Sequence, residues 1–190
     1  GLSALASLYE RTQKWPELCD VLERLADTSS DEVERAGQLA RRAQIFTDKL
    51  GRDDLALDEW QRVLDIDLEN VIALRAIADI RRRQNDAAEM VLALQNLVER
   101  AGKQLERAEL KAVYRELGKT YGQVLEQPSD AAESWRKLLE VDPADFEAME
   151  ALEAIYRREE RWTDVIAVKM QRAAALEDPD QKIRELFEVS

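Results

Sequence analysis

The sequence predicts an all-α chain, an α-solenoid of antiparallel helical hairpins, and three observations predict it. Apolar residues return in 3- and 4-residue steps from one end to the other, so each segment has one apolar face at helical spacing. The four prolines stand at predicted helix starts and none interrupts a helix. Tyr9, Phe46, Arg81, Tyr121 and Tyr156 hold the same place in successive units, separated by 37, 35, 40 and 35 residues. That period fits two helices and two turns.

The first hairpin, 1–28, runs through Leu2, Leu5, Ala6 and Tyr9, turns at Trp15-Pro16, and returns through Leu18, Leu22 and Leu25. Pro16 suits the first turn of the second helix, where its missing N–H is not needed. The second, 29–68, opens on a Ser29/Glu32 capping box, carries Leu39, Ala43, Phe46 and Leu50, breaks at Gly51, and returns through Ala56, Trp60, Val63 and Leu64. The acids between Asp65 and Asn70 resemble the start of a calcium loop. They lack its glycine and closing Glu, and are read as one helix end and the next helix start.

The third hairpin, 69–102, has Leu74, Ile77 and Ala78, a break at Asn85, a cap at Asp86 with Glu89, then Met90, Leu94 and Leu97. The fourth, 103–142, is lengthened at its front around 104–108 and carries one extra residue near Gln127-Pro128. The fifth, 143–177, starts at Asp142-Pro143 and carries Met149, Leu152, Ile155, Tyr156, Trp162, Val165 and Ile166. A partial sixth, 178–190, starts at Asp178-Pro179 with Gln181 and runs on to Val189-Ser190; together these make one repeat domain. A longer rhythm overlies the first: Trp60 and Trp135 are 75 apart, and Tyr9…Trp15 recurs as Tyr156…Trp162, so odd and even hairpins alternate.

Tyr114, Leu117-Gly118, Tyr121, Ala131, Trp135, Leu138 and Pro143 resemble the tetratricopeptide-repeat signature, W-x2-L-G-x2-Y…A-x3-F…P. In that reading Gly118 admits a neighbouring backbone, and Ala131 and Trp135 are the small and large partners on the second helix. The resemblance implies a right-handed superhelix whose first helices line a concave groove, and a role in protein–protein interaction. Departures are visible. Arg42 stands where the pattern wants Leu and Arg81 where it wants an aromatic. Lys169 and Arg172 fall on packing positions, so the fifth hairpin's second helix either slips by one residue to use Ile166 and Met170 or forms a more exposed end.

Composition narrows the function. Net charge is −12, which excludes non-specific nucleic-acid binding. There is no apolar run of membrane-spanning length and no signal-peptide pattern, which predicts a soluble, cytoplasmic protein without membrane insertion. The Arg/Glu/Ala/Leu-rich style, opening inside a helical pattern at Gly1-Leu2, predicts a fragment of a longer bacterial repeat protein. One cysteine excludes a disulfide framework, and the lack of histidine removes the commonest general base and metal ligand. Gly118-Lys119-Thr120 ends like a phosphate-binding loop, but Val113 stands where its first glycine belongs, within a helix. No catalytic, cofactor-binding or metal-binding residue is predicted, and the chain is read as a non-enzyme. Cys19, the counterpart of Val91 and Ile166, is read as buried filler, and the four tryptophans as core.

Projected onto the resemblance, the groove is lined by Arg41, Gln44, Arg75, Asp79, Arg82, Arg83, Arg115, Lys119, Arg157 and Arg158. It is comparatively basic on an anionic body. Arginine forks suit carboxylates, so the expected partner is a protein presenting an extended, acidic segment or a free C-terminal carboxylate. The contrary expectation is that these arginines only pair with neighbours at i, i+4. A chaperone-type carboxylate clamp is not favoured, because Ser7, Gln44, Asp79, Lys119 and Ala154 hold the positions of its asparagines. An alternative function is self-assembly, with homo-oligomers stacking end to end through uncapped faces.

Overall fold

The computed structural model describes residues 1–187, without the side chains of Pro179 and 185–187. Residues 188–190, including the expected continuation through Val189-Ser190, lie outside the described residues. Among the described residues the chain is all-α, with eleven α-helices and no strand. They are α1 (Leu2–Arg11), α2 (Trp15–Thr28), α3 (Glu32–Asp48), α4 (Asp53–Ile66), α5 (Val71–Arg83), α6 (Ala87–Ala101), α7 (Arg107–Gln123), α8 (Pro128–Val141), α9 (Phe146–Arg158), α10 (Trp162–Ala175) and α11 (Pro179–Phe187). A single 3-10 turn, Gly102–Gln104, follows α6. Consecutive helices pack as hairpins, α1/α2 through α9/α10. The chain divides into two compact units, Gly1–Gln104 with three hairpins and Leu105–Ser190 with two hairpins and α11.

One turn is built five times. Gln13, Gly51, Asn85, Glu126 and Glu160 are the residues at positive φ, between 54° and 62°, and each immediately precedes the N-cap of a second helix. The left-handed residue turns the chain so that the N-cap N–H returns to a first-helix carbonyl. The acceptors are Tyr9, Phe46, Arg81, Tyr121 and Tyr156, at 2.8–3.3 Å. These are the residues whose recurrence marks the repeat. Their side chains vary because the position is also defined by its carbonyl, which explains why Arg81 is tolerated where its counterparts are aromatic. Arg81 reaches Glu89 on α6 at 3.4 Å instead of packing in the core.

Where α7 crosses α8, Gly118 meets Trp135. A Cβ at Gly118 would lie 2.5 Å from Trp135 Cε2, so no larger residue fits without moving the indole. The neighbour that needs the glycine is thus a side chain, not the expected backbone. Three residues before the recurring carbonyl and nine after the positive-φ residue, the same crossing holds Ala6/Leu22, Ala43/Trp60 and Ala78/Leu94 in the first three hairpins, all buried. In the fifth hairpin it holds Glu153/Lys169.

Other expectations change in detail. The cap of α3 is Asp31, not Ser29: its carboxylate accepts from the Val33 and Glu34 N–H groups at 2.8 and 3.4 Å. Ser29 instead donates to Glu34. The fifth hairpin begins at Phe146, where the Asp145 carboxylate accepts from the Ala148 N–H at 3.1 Å, and Pro143 sits in the preceding turn. Helix α10 does not slip to bury Ile166 and Met170. Val165, Val168 and Ala173 face the core, and Lys169 goes in with them at 1% exposure. Ile166, Met170 and Trp162 are left outside at 42%, 58% and 57% exposure, so neither Ile166 nor Trp162 is core.

Candidate functional site

In the first unit the predicted groove residues lie on α3 and α5. Gln44, Arg75, Asp79 and Arg83 share one cleft of about 290 Å³ with Asp48, its apolar lining supplied by buried Trp60 and Ile80 and by exposed Ile72. Helical spacing produces this grouping: Arg75, Asp79, Arg82 and Arg83 recur at 3- and 4-residue steps on the face of α5 opposite buried Leu74, Ala78 and the α6 contact. Thr47 also lines the cleft, and its hydroxyl oxygen is buried without a hydrogen-bond partner. An apolar floor with polar walls is the general form of a ligand or side-chain pocket.

The basic residues around it are already engaged. Arg41 on α3 reaches Glu10 on α1 at 2.6 Å, Arg83 reaches Asp53 on α4 at 2.9 Å, and Arg82 pairs with Asp79 one turn away. Arg75 is likewise engaged with its surroundings. The second unit repeats the habit. Arg115 on α7 holds Glu147 and Asp145 at 2.6 Å each, and Lys119 holds Glu147 at 2.7 Å, so α7 grips the start of α9. Lys119 holds the Glu147 carboxyl below its ordinary range; partial burial opposes that and Arg115 reinforces it. Arg157 pairs with Glu153 at 2.8 Å, and Arg158 borders a separate cleft of about 380 Å³ with Gly122, Gln123 and Pro128. Among the ion pairs just given, only Arg157–Glu153 has the expected i, i+4 spacing. Most of the rest link different helices, a pattern that helical periodicity within one segment cannot reveal.

Two charge clusters account for the departures at Arg42, Lys169 and Arg172. Arg42, on a Leu position, bonds Glu59 on α4 at 2.6 Å and Glu23 on α2, while Arg62 bonds the same two acids at 3.1 and 3.0 Å. Glu59 is 6% exposed, so its charge depends on both arginines. Beside this cluster Cys19 is buried as expected, and burial pushes its thiol up to about 11 despite nearby Arg42. Such a thiol is protonated and unreactive at neutral pH. In the fifth hairpin Glu153 receives Arg172 and Arg157 at 2.8 Å each, with Lys169 at 3.9 Å. Among the described residues no group of three His, Cys, Asp or Glu side chains is arranged to hold a metal ion. No described helix is long and apolar enough to cross a membrane.

Residues 2–36 match the family model described as tetratricopeptide repeat. No curated protein matches the chain in sequence. Among solved structures, a tetratricopeptide repeat protein from Parabacteroides merdae ATCC 43184 is similar at TM-score 0.54 and 12% identity, over 99% of this chain and 70% of that one. A MamA double mutant (RS-1 ArsTM) gives TM-score 0.51 and 14% identity over 99% and 92% of the two chains. YrrB, a TPR protein with an unusual peptide-binding site, gives TM-score 0.50 and 13% identity over 88% and 80%. At these identities the likeness is one of fold. A family repeat is thus recognised in the opening residues, and the chain as a whole shares the helical-hairpin fold of tetratricopeptide-repeat structures.

Proposed function

We propose that the chain is a non-enzymatic protein–protein interaction scaffold and that the first unit binds an extended peptide segment across α3 and α5. The observation that carries this reading is the cleft in which Gln44, Arg75, Asp79 and Arg83 stand around an apolar floor. An exposed ion pair contributes about 0–1 kcal/mol, so exchanging Asp79 or Asp53 for a ligand carboxylate costs little and gains little. Affinity must come from apolar contact: an aliphatic or aromatic side chain of the partner seated against exposed Ile72, with flanking carboxylates meeting Arg75 and Arg82. Within the first unit Arg41 extends the basic face beside that anchor, and in the second unit Arg115, Lys119, Arg157 and Arg158 are the corresponding groove residues of this proposal. Net charge −12 supports a protein rather than nucleic-acid partner, and one buried thiol suits a reducing, cytoplasmic setting. In this proposal residues 1–190 act as one repeat domain.

The test uses leucine-centred synthetic peptides of equal length with acidic, neutral or basic flanks, titrated against the full chain by fluorescence anisotropy. Binding should rank acidic first, weaken with salt, and be lost on Ile72→Asp or reduced on Arg75→Glu. Indifference to flank charge, to salt and to both substitutions would remove the reading.

A further inference from the structure

Helix α5 borders a second cleft on its other side. Leu74, Ile77 and Arg81 lie across the helix from Arg75, Asp79 and Arg83. With Gln61 and Leu64 of α4 and the Glu89–Arg100 face of α6 they line a cleft of about 210 Å³. Leu64, Leu74 and Ala93 are buried there, while half-buried Ile77 and exposed Leu92 offer apolar surface.

The second hairpin shows what occupies this position elsewhere in the chain. Arg42 and Ile77 each stand four residues before the recurring carbonyl. Counted from the positive-φ residues, Glu23 and Gln61 stand ten after, Glu59 and Ala93 eight after, and Arg62 and Asn96 eleven after. Between α2, α3 and α4 these places hold the ion-paired Glu23, Arg42, Glu59 and Arg62, and the Phe46 ring centre lies 5.2 Å from the Arg42 guanidinium. Between α4, α5 and α6 the same places hold two amides, an isoleucine and an alanine, and Arg81 stands where Phe46 does. The third hairpin therefore lacks both the buried carboxylate and the ring of the second.

The cations remain. Arg81 and Arg100 line the cleft against Glu89 alone, a balance of +1 in a chain of net −12. Glu89 is engaged by Arg81 at 3.4 Å, and Arg100 makes no ion pair among the described residues.

We propose that this cleft binds a small aromatic carboxylic acid in its anionic form, a ligand that carries the two groups the hairpin lacks. The ring lies against Ile77 and Leu92, over Ala93. The carboxylate meets the Arg100 fork and the Asn96 amide, as Glu59 meets Arg42 and Arg62. The cleft is smaller than the roughly 300–1,000 Å³ of pockets for drug-sized ligands, so it takes one ring with a short arm. One apolar contact and one charge-assisted contact support a Kd of about 1 mM.

The test titrates phenylacetate into the full chain and follows the side-chain amide signals of Asn96 and Gln61 by nuclear magnetic resonance. Both signals should shift and saturate. Phenylacetamide, which lacks the charge, and butyrate, which lacks the ring, should each bind about tenfold more weakly. Arg100→Gln, a surface change, should weaken phenylacetate by about tenfold and leave phenylacetamide as it was. Ala93→Leu fills the cleft and should abolish binding of both, whereas Ile72→Asp, across α5, should alter neither. Equal binding of acid and amide, an acid titration indifferent to Arg100→Gln, or unmoved amide signals at about 20 mM ligand would each overturn the proposal. So would markedly tighter binding of N-acetyl-Gly-Gly-Phe, which would make a peptide C-terminus the occupant.

Discussion

The fourth and fifth hairpins fill the same slot by opposite means. Between α7 and α8 the slot is steric: a glycine admits a tryptophan so closely that a Cβ would stand 2.5 Å from the indole. Between α9 and α10 the same two positions hold Glu153 and Lys169, with Arg172 and Arg157 closing round the carboxylate. The steric pair needs only shape and is non-directional. The ionic pair needs desolvated charges to find each other, and once formed it fixes the roll of α10. That roll puts charge inside and Trp162, Ile166 and Met170 outside. A hairpin slot in this fold thus specifies contact between two positions, and the chemistry used there decides what the helix shows to its surroundings.

Substitutions on either side of the comparison should separate in size. Trp135→Ala empties the steric slot and should cost about 3–5 kcal/mol in urea unfolding of the full chain. Glu153→Ala removes the carboxylate that Lys169, Arg172 and Arg157 share and should cost about 3 kcal/mol, the low end for a broken buried pair because Glu153 keeps some contact with water. Gly118→Ala overpacks the indole and should cost about 1–3 kcal/mol; a neutral result would mean that the indole shifts freely. At the shared turn, Glu126→Gly should stabilise by about 0.5–1 kcal/mol, since glycine occupies positive φ without the penalty of a side chain.

The smallest effect is on pH. Glu147 has a folded-state pKa below its ordinary 4.5, so its contribution is present above that value. It is lost as pH falls through the lowered native value. Acid titration of Glu147→Gln against wild type should therefore show a difference of about 0–1 kcal/mol at neutral pH that vanishes in acid. A difference that persists in acid would assign Glu147 a role other than its charge.

Much of the architecture was legible because it rests on local rules. Helical periodicity marked the chain as all-α, Asn85 and Gly51 marked breaks that the structure turns at positive φ, and Gly118 announced a close approach, though of a backbone and not of the Trp135 ring. Three features were not legible, each for a physical reason. Ser29, Ser30 and Asp31 are all good N-caps, and only the geometry shows that Asp31 takes the N–H groups. The roll of α10 depends on Glu153, a residue on another helix, which leaves no mark in the periodicity of α10 itself. The groove arginines were projected one helix at a time, yet Glu10 and Asp53, the partners of Arg41 and Arg83, lie on neighbouring helices. A reading of one helix at a time therefore overstates how much positive charge the face has to offer.

The account rests on Glu153 and Lys169 being bound to each other as Gly118 and Trp135 are fitted to each other. A double-mutant cycle measures that directly: urea unfolding of wild type, Glu153→Ala, Lys169→Leu and the double variant, which recreates the Ala/Leu pair of the first and third hairpins. Coupling of about 1–3 kcal/mol, with the double variant recovering much of the loss caused by Glu153→Ala, is the predicted result. Additive effects, with no coupling between the two positions, would contradict it.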